Sequence, residues 1–390
     1  VYQSQKTSIK TNETENDKIK VIGLNLEWNI VRPNGLGFWI SNFSDWTYCY
    51  DILKLREYHN NGYQIVIFTN QIQLGEKGHL AYEEFRSLIM LIDKYLNIPF
   101  QAFIATKNGY FVKPVTGLWD VFLQLNNISK FDIDHKKSLY IGSQAGRIIN
   151  SHGKKDFSCI DYYFSQNIGL CFRTPEQFFL ESKDSKHMKL PVSFHPYYYL
   201  THNCDNYEEK LHEFKSVNEM QIVMLVGSPA SGKSRLCQKY LSEHIRINQD
   251  TLKTVNRCFK AAIIELEKGN SLIIDNTNRD KKIRQKWIEL AKKYNIPIDC
   301  IYMKNNRNMT LHFNSYRNLS KSKNKVPDIA IYSYFSKLEP PVQEEGFRRF
   351  VKLQFDSNFS GSYTKEVLSG YIRGKYSLNR DMEGVYIYRN

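Results

Sequence analysis

The sequence is poor in the features that mark several classes of protein. Its 390 residues include 7 cysteines, which are scattered and form no Cys-x-x-Cys pair, so neither a zinc site nor a disulfide scaffold is indicated. No run of about 18 apolar residues occurs, and we therefore expect no transmembrane helix and no membrane insertion. Aromatic residues at 14% and hydrophobic residues at 42% exclude a disordered chain and suffice for two domains with full cores.

The scattered cysteines also bear on the compartment. Thiols without a disulfide pattern are typical of a reducing, intracellular environment. Because the chain begins at Val1 rather than Met, we allow for a targeting segment that has been removed, and the sequence leaves nucleus and mitochondrion open.

Positive charge is concentrated in the second half of the chain. Residues 1–220 carry 24 basic and 24 acidic side chains, whereas residues 221–390 carry 30 basic and 16 acidic ones, so the second half accounts for the entire net charge of +14. A positive electrostatic potential on one domain favours binding of a polyanionic partner. We therefore expect nucleic acid to bind the C-terminal half, with general solubility or a place in an acidic or RNA-rich assembly as the plainer explanations.

Apolar and helical stretches alternate in two parts of the chain. We predict buried strands at residues 19–26, 64–69, 100–106, 139–141, 222–226, 272–274 and 298–303, and helices at 52–60, 82–96, 118–125, 232–242 and 281–294. This alternation predicts α/β domains with mostly parallel sheets. The predicted organisation is a flexible leader, a first domain, a linker, a second domain and a C-terminal extension, at residues 1–18, 19–180, 181–218, 219–356 and 357–390.

One eight-residue segment is typical of a phosphate-binding loop. It matches the pattern GxxxxGK[ST] between a predicted strand and a predicted helix, and consists of Gly227, Ser228, Pro229, Ala230, Ser231, Gly232, Lys233 and Ser234. The glycines let the backbone turn its N–H groups toward phosphate oxygens. Lys233 then supplies a cation for the β- and γ-phosphates, and the Ser234 hydroxyl is placed to hold Mg²⁺. The sequence therefore predicts that the second domain binds a nucleoside triphosphate.

Two further segments of the second domain place polar residues where strands are expected to end. Asp250 lies in the first of them, and a phosphoryl acceptor that is an alcohol needs such a base within reach of its proton. A helix N-cap is an equally suitable role for Asp250, because it precedes Thr-Leu-Lys. The second segment contains Asp275, Asn276 and Asn278, which suit a network beside a phosphate or Mg²⁺.

Together these segments resemble the bifunctional polynucleotide kinase 3′-phosphatase family. The family's kinase motifs occur here in the same order, at residues 227–234, 248–252, 274–278 and 331–347. The resemblance covers roughly residues 19–356. It implies two Rossmann-like domains, a phosphatase fold followed by a P-loop kinase fold, and transfer of the γ-phosphate of ATP, with Mg²⁺, to 5′-hydroxyl ends of DNA or RNA. In this scheme Asp250 is the base and Lys233 binds the phosphates.

The kinase-like half departs from the family at two positions. Gln249 stands where the family usually has an arginine just before the catalytic aspartate. In the segment 312–317 the family shows two arginines around an aromatic residue, and this chain keeps only the second, Arg317. The resemblance implies Arg317 as the cation that stabilises the transition state, since one well-placed guanidinium supplies much of the rate.

The first domain resembles the family's haloacid-dehalogenase-type (HAD-like) phosphatase but differs at the chemical positions. That reaction needs an Asp-x-Asp-Gly-Thr motif with a nucleophilic and an acid/base aspartate, and Asn25 and Glu27 stand in their places. Ser143 replaces the aspartate that the resemblance assigns to Mg²⁺, which relies on carboxylates. Thr69 and Lys113 match the family's phosphate-binding threonine and active-site lysine. We therefore expect a retained fold without 3′-phosphatase activity.

Two functions of different class fit these residues. The first is an ATP-dependent polynucleotide 5′-hydroxyl kinase in DNA repair or RNA processing, with the inactive phosphatase as a scaffold. The alternative is a pseudoenzyme that serves as a structural subunit of a larger protein assembly with at most a bound nucleotide, as the degenerate phosphatase site and the extension at 357–390 suggest. The intact P-loop and Asp250 favour the kinase, without a preference between DNA and RNA.

Overall fold

The chain forms two compact units. The computed structural model describes residues 1–4, 18–35, 45–147, 156–182, 194–202, 204–215, 219–319, 325–356 and 365–375. The first unit comprises Val1–Phe194 together with Gly370–Asn390, and the second comprises His195–Ser369. Within the described ranges, no helix combines the length and the apolar character needed to cross a membrane.

The first unit is built on a six-stranded sheet. Its strand order is β1-β6-β5-β2-β7-β8, and every pair is parallel except the edge pair of β1 with β6. A separate antiparallel pair joins β3 to β4. The elements are β1 (Tyr2–Gln3), β2 (Lys20–Leu24), β3 (Val31–Pro33), β4 (Trp46–Tyr48), α1 (Lys54–Asn60), β5 (Tyr63–Asn70), α2 (Gln73–Lys77), α3 (His79–Leu96), β6 (Phe100–Ala105), α4 (Gly117–Leu125), β7 (Leu139–Ile141), α5 (Ile160–Ile168), β8 (Cys171–Arg173) and α6 (Pro175–Phe179).

Helices cover both faces of this sheet, which explains why its strands are continuous apolar runs. Successive side chains of a strand point to opposite faces. On β2, Ile22 therefore packs in the cluster that contains Phe85 and Ile92 of α3. Its neighbour Val21 packs in a second cluster that contains Phe122 of α4.

The second unit contains a five-stranded sheet in which all neighbours are parallel. The strand order is β11-β12-β10-β13-β14, and a small parallel pair joins β9 to β15. The elements are α7 (Pro196–His202), β9 (Cys204–Asp205), α8 (Tyr207–Lys210), β10 (Ile222–Val226), α9 (Lys233–Tyr240), β11 (Ile245–Ile247), α10 (Gln249–Leu252), α11 (Val255–Glu267), β12 (Leu272–Ile274), α12 (Lys281–Lys293), β13 (Ile298–Met303), α13 (Arg307–Leu319), α14 (Asp328–Ser336), β14 (Phe350–Leu353), β15 (Phe355–Asp356) and α15 (Lys365–Ser369).

The central strand β10 is buried on both faces. Met224 packs in a cluster with Trp287 of α12, and the next residue, Leu225, packs in another with Leu236 of α9. A fully covered parallel sheet of this kind places all its strand ends, and the loops that follow them, along one edge. The predicted α/β class with mostly parallel sheets is confirmed.

Three segments that the sequence assigned to a leader, a linker and an extension contain ordered structure. Tyr2 pairs with Ala102 in the sheet, and its hydroxyl donates to Asp93 at 2.8 Å. In the predicted linker, α7, β9 and α8 belong to the second unit. In the predicted extension, α15 lies in the second unit, while residues 370–375 belong to the first. Residues 5–17, 183–193, 203, 216–218, 357–364 and 376–390 lie outside the described residues.

Residues 371–374, which we name the docked segment, pack against α5 of the first unit. The Tyr371 ring stacks on Tyr163 with centroids 4.0 Å apart. The Asn167 side chain binds both backbone groups of Tyr371, with its Oδ1 accepting and its Nδ2 donating, each at 2.7 Å. Gly374 O accepts from Cys159 N at 2.9 Å. Composition alone did not predict this docking, because it depends on a few specific contacts far apart in sequence.

Candidate functional site

The predicted phosphate-binding loop links β10 to α9 in the second unit. Ala230 and Gly232 have φ angles of 61° and 95°, in the left-handed region that tight curling of the loop requires. Gly232 is the N-cap of α9 and provides no side-chain hydrogen bond to the helix. The N–H groups of the first turn are therefore available to an anion, toward which the helix dipole is also favourable.

Lys233 lies inside this loop. Its side chain is buried, and its Nζ donates to Gly227 O at 2.9 Å and to Ser228 O at 2.7 Å. Burial lowers the pKa of Lys233 to about 8, although the carboxylates of Asp275 and Asp250 act in the opposite direction. The amine is thus held by carbonyl oxygens where phosphate oxygens are expected, and a bound anion would stabilise its charged form.

Ser234 and Asp275 form a pair of oxygens that fits Mg²⁺. Ser234 Oγ donates to Asp275 Oδ2 at 2.9 Å, and the Asp275 side chain is almost completely buried. Mg²⁺ holds ligand oxygens at about 2.1 Å in an octahedron, so neighbouring ligand oxygens lie about 2.9 Å apart. A P-loop hydroxyl and a carboxylate at the end of a neighbouring strand are the protein groups expected at such an ion.

An open cavity of about 910 Å³ brings the three predicted catalytic residues of the second unit together. Lys233, Asp250 in the first turn of α10, and Arg317 on α13 all contribute to its wall. The charged side chains of the lining are mainly basic: Lys233, Arg235, Lys253, Arg317 and Lys325 against Asp250 and Asp275. A cavity with this balance suits polyanionic ligands.

The two roles considered for Asp250 are separated by the structure. The N-cap of α10 is Asn248, whose side-chain Oδ1 accepts from Thr251 N at 3.2 Å. The N-cap hypothesis for Asp250 is therefore wrong. Asp250 is exposed and lines the cavity, where a carboxylate is able to accept a proton from a substrate.

Sequence reasoning missed two polar side chains of the cavity lining and one that binds two lining residues. Arg246 on β11 donates to both Asp275 and Ser234. The Nδ2 of Asn248 donates to Asp275 O at 2.8 Å. Lys325 adds a further cation to the lining. Asn248 belongs to a motif that was recognised, whereas no local pattern singled out Arg246 or Lys325.

In the first unit, Lys113 contacts Asn25, one of the residues of the predicted phosphatase site. The side chain of Lys113 is 2% exposed, and its Nζ donates to Asn25 Oδ1 at 3.0 Å, to Tyr140 OH at 2.8 Å and to Asp161 Oδ1 at 2.7 Å. Burial lowers the pKa of Lys113, while the nearby carboxylates of Asp161 and Glu27 oppose this. The lysine thus occupies the centre of the site. Asp161, to which the sequence gave no role, is its counter-ion.

The loop after β2 contains a left-handed backbone conformation at Trp28, a residue type that does not favour it. Trp28, in the position of the family's glycine, has a φ of 63°, which is rare for a bulky residue. Glu27 O accepts from Asn25 Nδ2 at 2.9 Å and from Asn29 Nδ2 at 3.0 Å. Thr69 is buried in the same unit, and its Oγ1 accepts from Gln71 Nε2 at 3.1 Å.

The residues of the first unit do not fit a Mg²⁺ ion. Ser143 Oγ is buried and has no hydrogen-bond partner among the described residues. The oxygens of Asn25 and Asp161 that face the site are bound to the Lys113 ammonium.

Comparisons with known proteins agree with the two-unit architecture. The family described as polynucleotide kinase 3 phosphatase matches residues 20–179, and the AAA domain family matches residues 222–341. A bifunctional polynucleotide phosphatase/kinase of Schizosaccharomyces pombe is 34% identical over 343 residues, covering 86% of this chain and 80% of the relative. A putative bifunctional polynucleotide phosphatase/kinase of Acanthamoeba polyphaga mimivirus is 32% identical, covering 77% of each chain.

Proposed function

The chain belongs to the bifunctional polynucleotide phosphatase/kinase family, and on this premise we propose that its second unit transfers the γ-phosphate of ATP to 5′-hydroxyl ends of nucleic acid. The observation that supports this most directly is the single cavity that Lys233, Asp250 and Arg317 share. A phosphate-binding loop, a carboxylate base and a guanidinium are the parts that phosphoryl transfer to an alcohol needs.

The nucleotide phosphates bind to the loop and the N-terminus of α9. Lys233 shifts its hydrogen bonds from the Gly227 and Ser228 carbonyls to the phosphates, which keep it protonated. Ser234 and Asp275 would hold Mg²⁺, which when bound neutralises charge on the transferred phosphoryl group. Arg317 is the one arginine of the segment 312–317 and lines the same cavity, from which it adds positive charge to the developing transition state.

Asp250 accepts the proton of the attacking 5′-hydroxyl. Its placement in the first turn of α10 is fixed by the Asn248 cap and by Gln249 N, which donates to Asn276 Oδ1 at 2.8 Å. The acceptor strand approaches as a polyanion, and the basic lining attracts it. The same attraction predicts that oligonucleotide binding weakens as the salt concentration rises.

We also propose that the first unit has no 3′-phosphatase activity. An amide oxygen cannot form the acyl-phosphate that a nucleophilic aspartate forms. Both ends of the Asn25 amide are already bound, the oxygen to Lys113 Nζ and the nitrogen to Glu27 O. The buried Ser143 hydroxyl offers no charge to a metal.

The kinase proposal is tested by transfer of labelled γ-phosphate to a 5′-hydroxyl oligonucleotide. Asp250→Asn keeps the shape of the side chain and should slow transfer by about 10²–10⁴-fold. Arg317→Ala should slow it comparably, while Glu289→Gln, which neutralises an exposed carboxylate on α12, should leave it unchanged. No transfer by the wild type alongside normal ATP binding would instead favour a structural role. Transfer unaffected by Asp250→Asn would mean that another residue is the base.

The phosphatase proposal is tested with a 3′-phosphorylated oligonucleotide and Mg²⁺. The wild type should release no inorganic phosphate. Asn25→Asp should still release little, because Glu27 and Ser143 remain. Release that disappears in Asn25→Ala would contradict the proposal.

A further inference from the structure

Arg246 places a guanidinium on the two oxygens of the second unit that suit Mg²⁺. Its Nε lies 2.8 Å from Asp275 Oδ2, and its Nη2 lies 2.9 Å from Ser234 Oγ and also contacts Asp275 Oδ2. The Asp275 side chain is 1% exposed, whereas the Arg246 side chain is 34% exposed. The guanidinium therefore covers a buried carboxylate from a position that remains in contact with solvent.

The sheet brings this arginine to the site. β11 and β12 are parallel neighbours in which Arg246 pairs with Ile273 and Ile247 pairs with Ile274. Asp275 comes directly after β12, and its N–H donates to Ile247 O at 2.9 Å. A long side chain on β11 therefore reaches the carboxylate at the end of the next strand.

The two oxygens cannot serve the guanidinium and a metal ion at the same time. Asp275 Oδ2 already accepts from Ser234, from Arg246 and, at 3.2 Å, from Asn248. Mg²⁺ needs direct contact with its ligand oxygens at about 2.1 Å, and a cation on those oxygens repels it. Because Arg246 is partly exposed, it is able to swing into solvent when the ion binds.

We propose that the Arg246 guanidinium occupies the oxygens that would bind magnesium, and that it competes with Mg²⁺ for Ser234 Oγ and Asp275 Oδ2. Without metal, Arg246 neutralises Asp275 and keeps a positive charge beside the phosphates of a bound nucleotide. When Mg²⁺ is present, the ion must displace it. The site therefore has a higher affinity for metal-free nucleotide, and a lower affinity for Mg²⁺, than it would have without this arginine. This inference rests on the nucleotide binding proposed above.

The test uses ADP and Mn²⁺ as probes of the 390-residue chain. ADP affinity is measured by calorimetry in EDTA, and Mn²⁺ affinity is measured by electron paramagnetic resonance on the ADP-saturated protein. Arg246→Gln should bind Mn²⁺ about fivefold more tightly and bind ADP in EDTA about fivefold more weakly, the size expected for a partly exposed ion pair. Arg257→Gln removes the same charge from an exposed position of α11 outside the cavity lining, and both affinities should stay at their wild-type values.

Each outcome has a defined meaning. An unchanged or weaker Mn²⁺ affinity in Arg246→Gln, or an unchanged ADP affinity in EDTA, overturns the role of Arg246 and leaves the nucleotide site standing. Wild-type protein that binds no ADP with or without metal overturns the nucleotide site itself, and this inference with it. If Arg257→Gln changed the two affinities as much as Arg246→Gln does, the effect would come from the net charge of the unit. That result would overturn competition at the two oxygens.

Discussion

The buried amine of Lys233 should make nucleotide affinity depend on pH. In the free protein, burial lowers the pKa of Lys233 from the usual range of a lysine to about 8. Bound phosphates favour the ammonium form and hold its pKa above that of the free protein. Affinity therefore changes little below about pH 7, where the amine of the free protein is already mostly charged, and falls as the pH rises through 8, because binding must then take up a proton.

The size of the effect follows from the fraction of free protein that carries the charge. At pH 7 about nine-tenths of the Lys233 side chains are protonated, and at pH 9 about one-tenth. Nucleotide affinity should consequently fall about tenfold between pH 7 and pH 9, or about 1.4 kcal/mol of binding free energy. Proton uptake on binding should rise from about 0.1 to about 0.9 per nucleotide over the same range.

Calorimetry of ADP binding in buffers with different ionisation enthalpies measures affinity and proton uptake together. Above pH 7 the phosphates of the nucleotide contribute little, because the last ionisation of a phosphate group has a pKa of about 6 and is then nearly complete. The nearby Cys237 thiol does not titrate in this range either, since burial raises its pKa to about 12. Lys233→Met should bind weakly and without proton uptake.

An affinity that stays constant from pH 7 to pH 9 with no proton uptake would refute this reasoning. Such a result would mean that the ammonium of Lys233 is fully charged in the free protein. Proton uptake that persists in Lys233→Met would mean that a different group titrates.

Two further predictions concern buried ion pairs. In the first unit, Asp161→Asn leaves the Lys113 ammonium without its counter-ion and should lower the free energy of unfolding in urea by about 3–5 kcal/mol. In the second unit the Arg284 and Glu345 side chains are 0% and 1% exposed, so Glu345→Gln should cost a similar amount, whereas the exposed control Glu289→Gln should stay within about 0.5 kcal/mol. If urea titrations showed that either substitution lowers the free energy of unfolding by less than about 1 kcal/mol, these ion pairs would not stabilise the fold as expected.

The phosphate-binding loop was predictable because its requirements are local. β10 begins and ends at the predicted residues, Ile222 and Val226, and Lys233 begins the next helix. A continuous apolar strand, a glycine-rich turn and a helix leave few alternative arrangements. The strand at Leu272–Ile274 was predicted equally well, and this placed Asp275 at the edge of the sheet.

Features that depend on contacts between distant residues were not predictable. Arg246 and Asp275 are 29 residues apart, and they meet because β11 and β12 are neighbours in the sheet. The roles of Asn248 and Asp250 could not be separated from residue types alone, since both side chains are good helix caps. The hydrogen bond from Thr251 N to Asn248 Oδ1 identifies Asn248 as the cap.

The docked segment is synthesised after the second unit, although it packs on α5 of the first unit. During synthesis, Tyr163 and Asn167 leave the ribosome before His195–Ser369, and Tyr371 leaves after it. Until then the Tyr163 ring lacks this stacking partner, and Asn167 lacks its two hydrogen bonds to the Tyr371 backbone. Since domains generally fold as units while the chain is made, the second unit has the opportunity to fold before the first is finished. Among the described residues, the order of synthesis thus makes α5 the last helix of the first unit to acquire its neighbours.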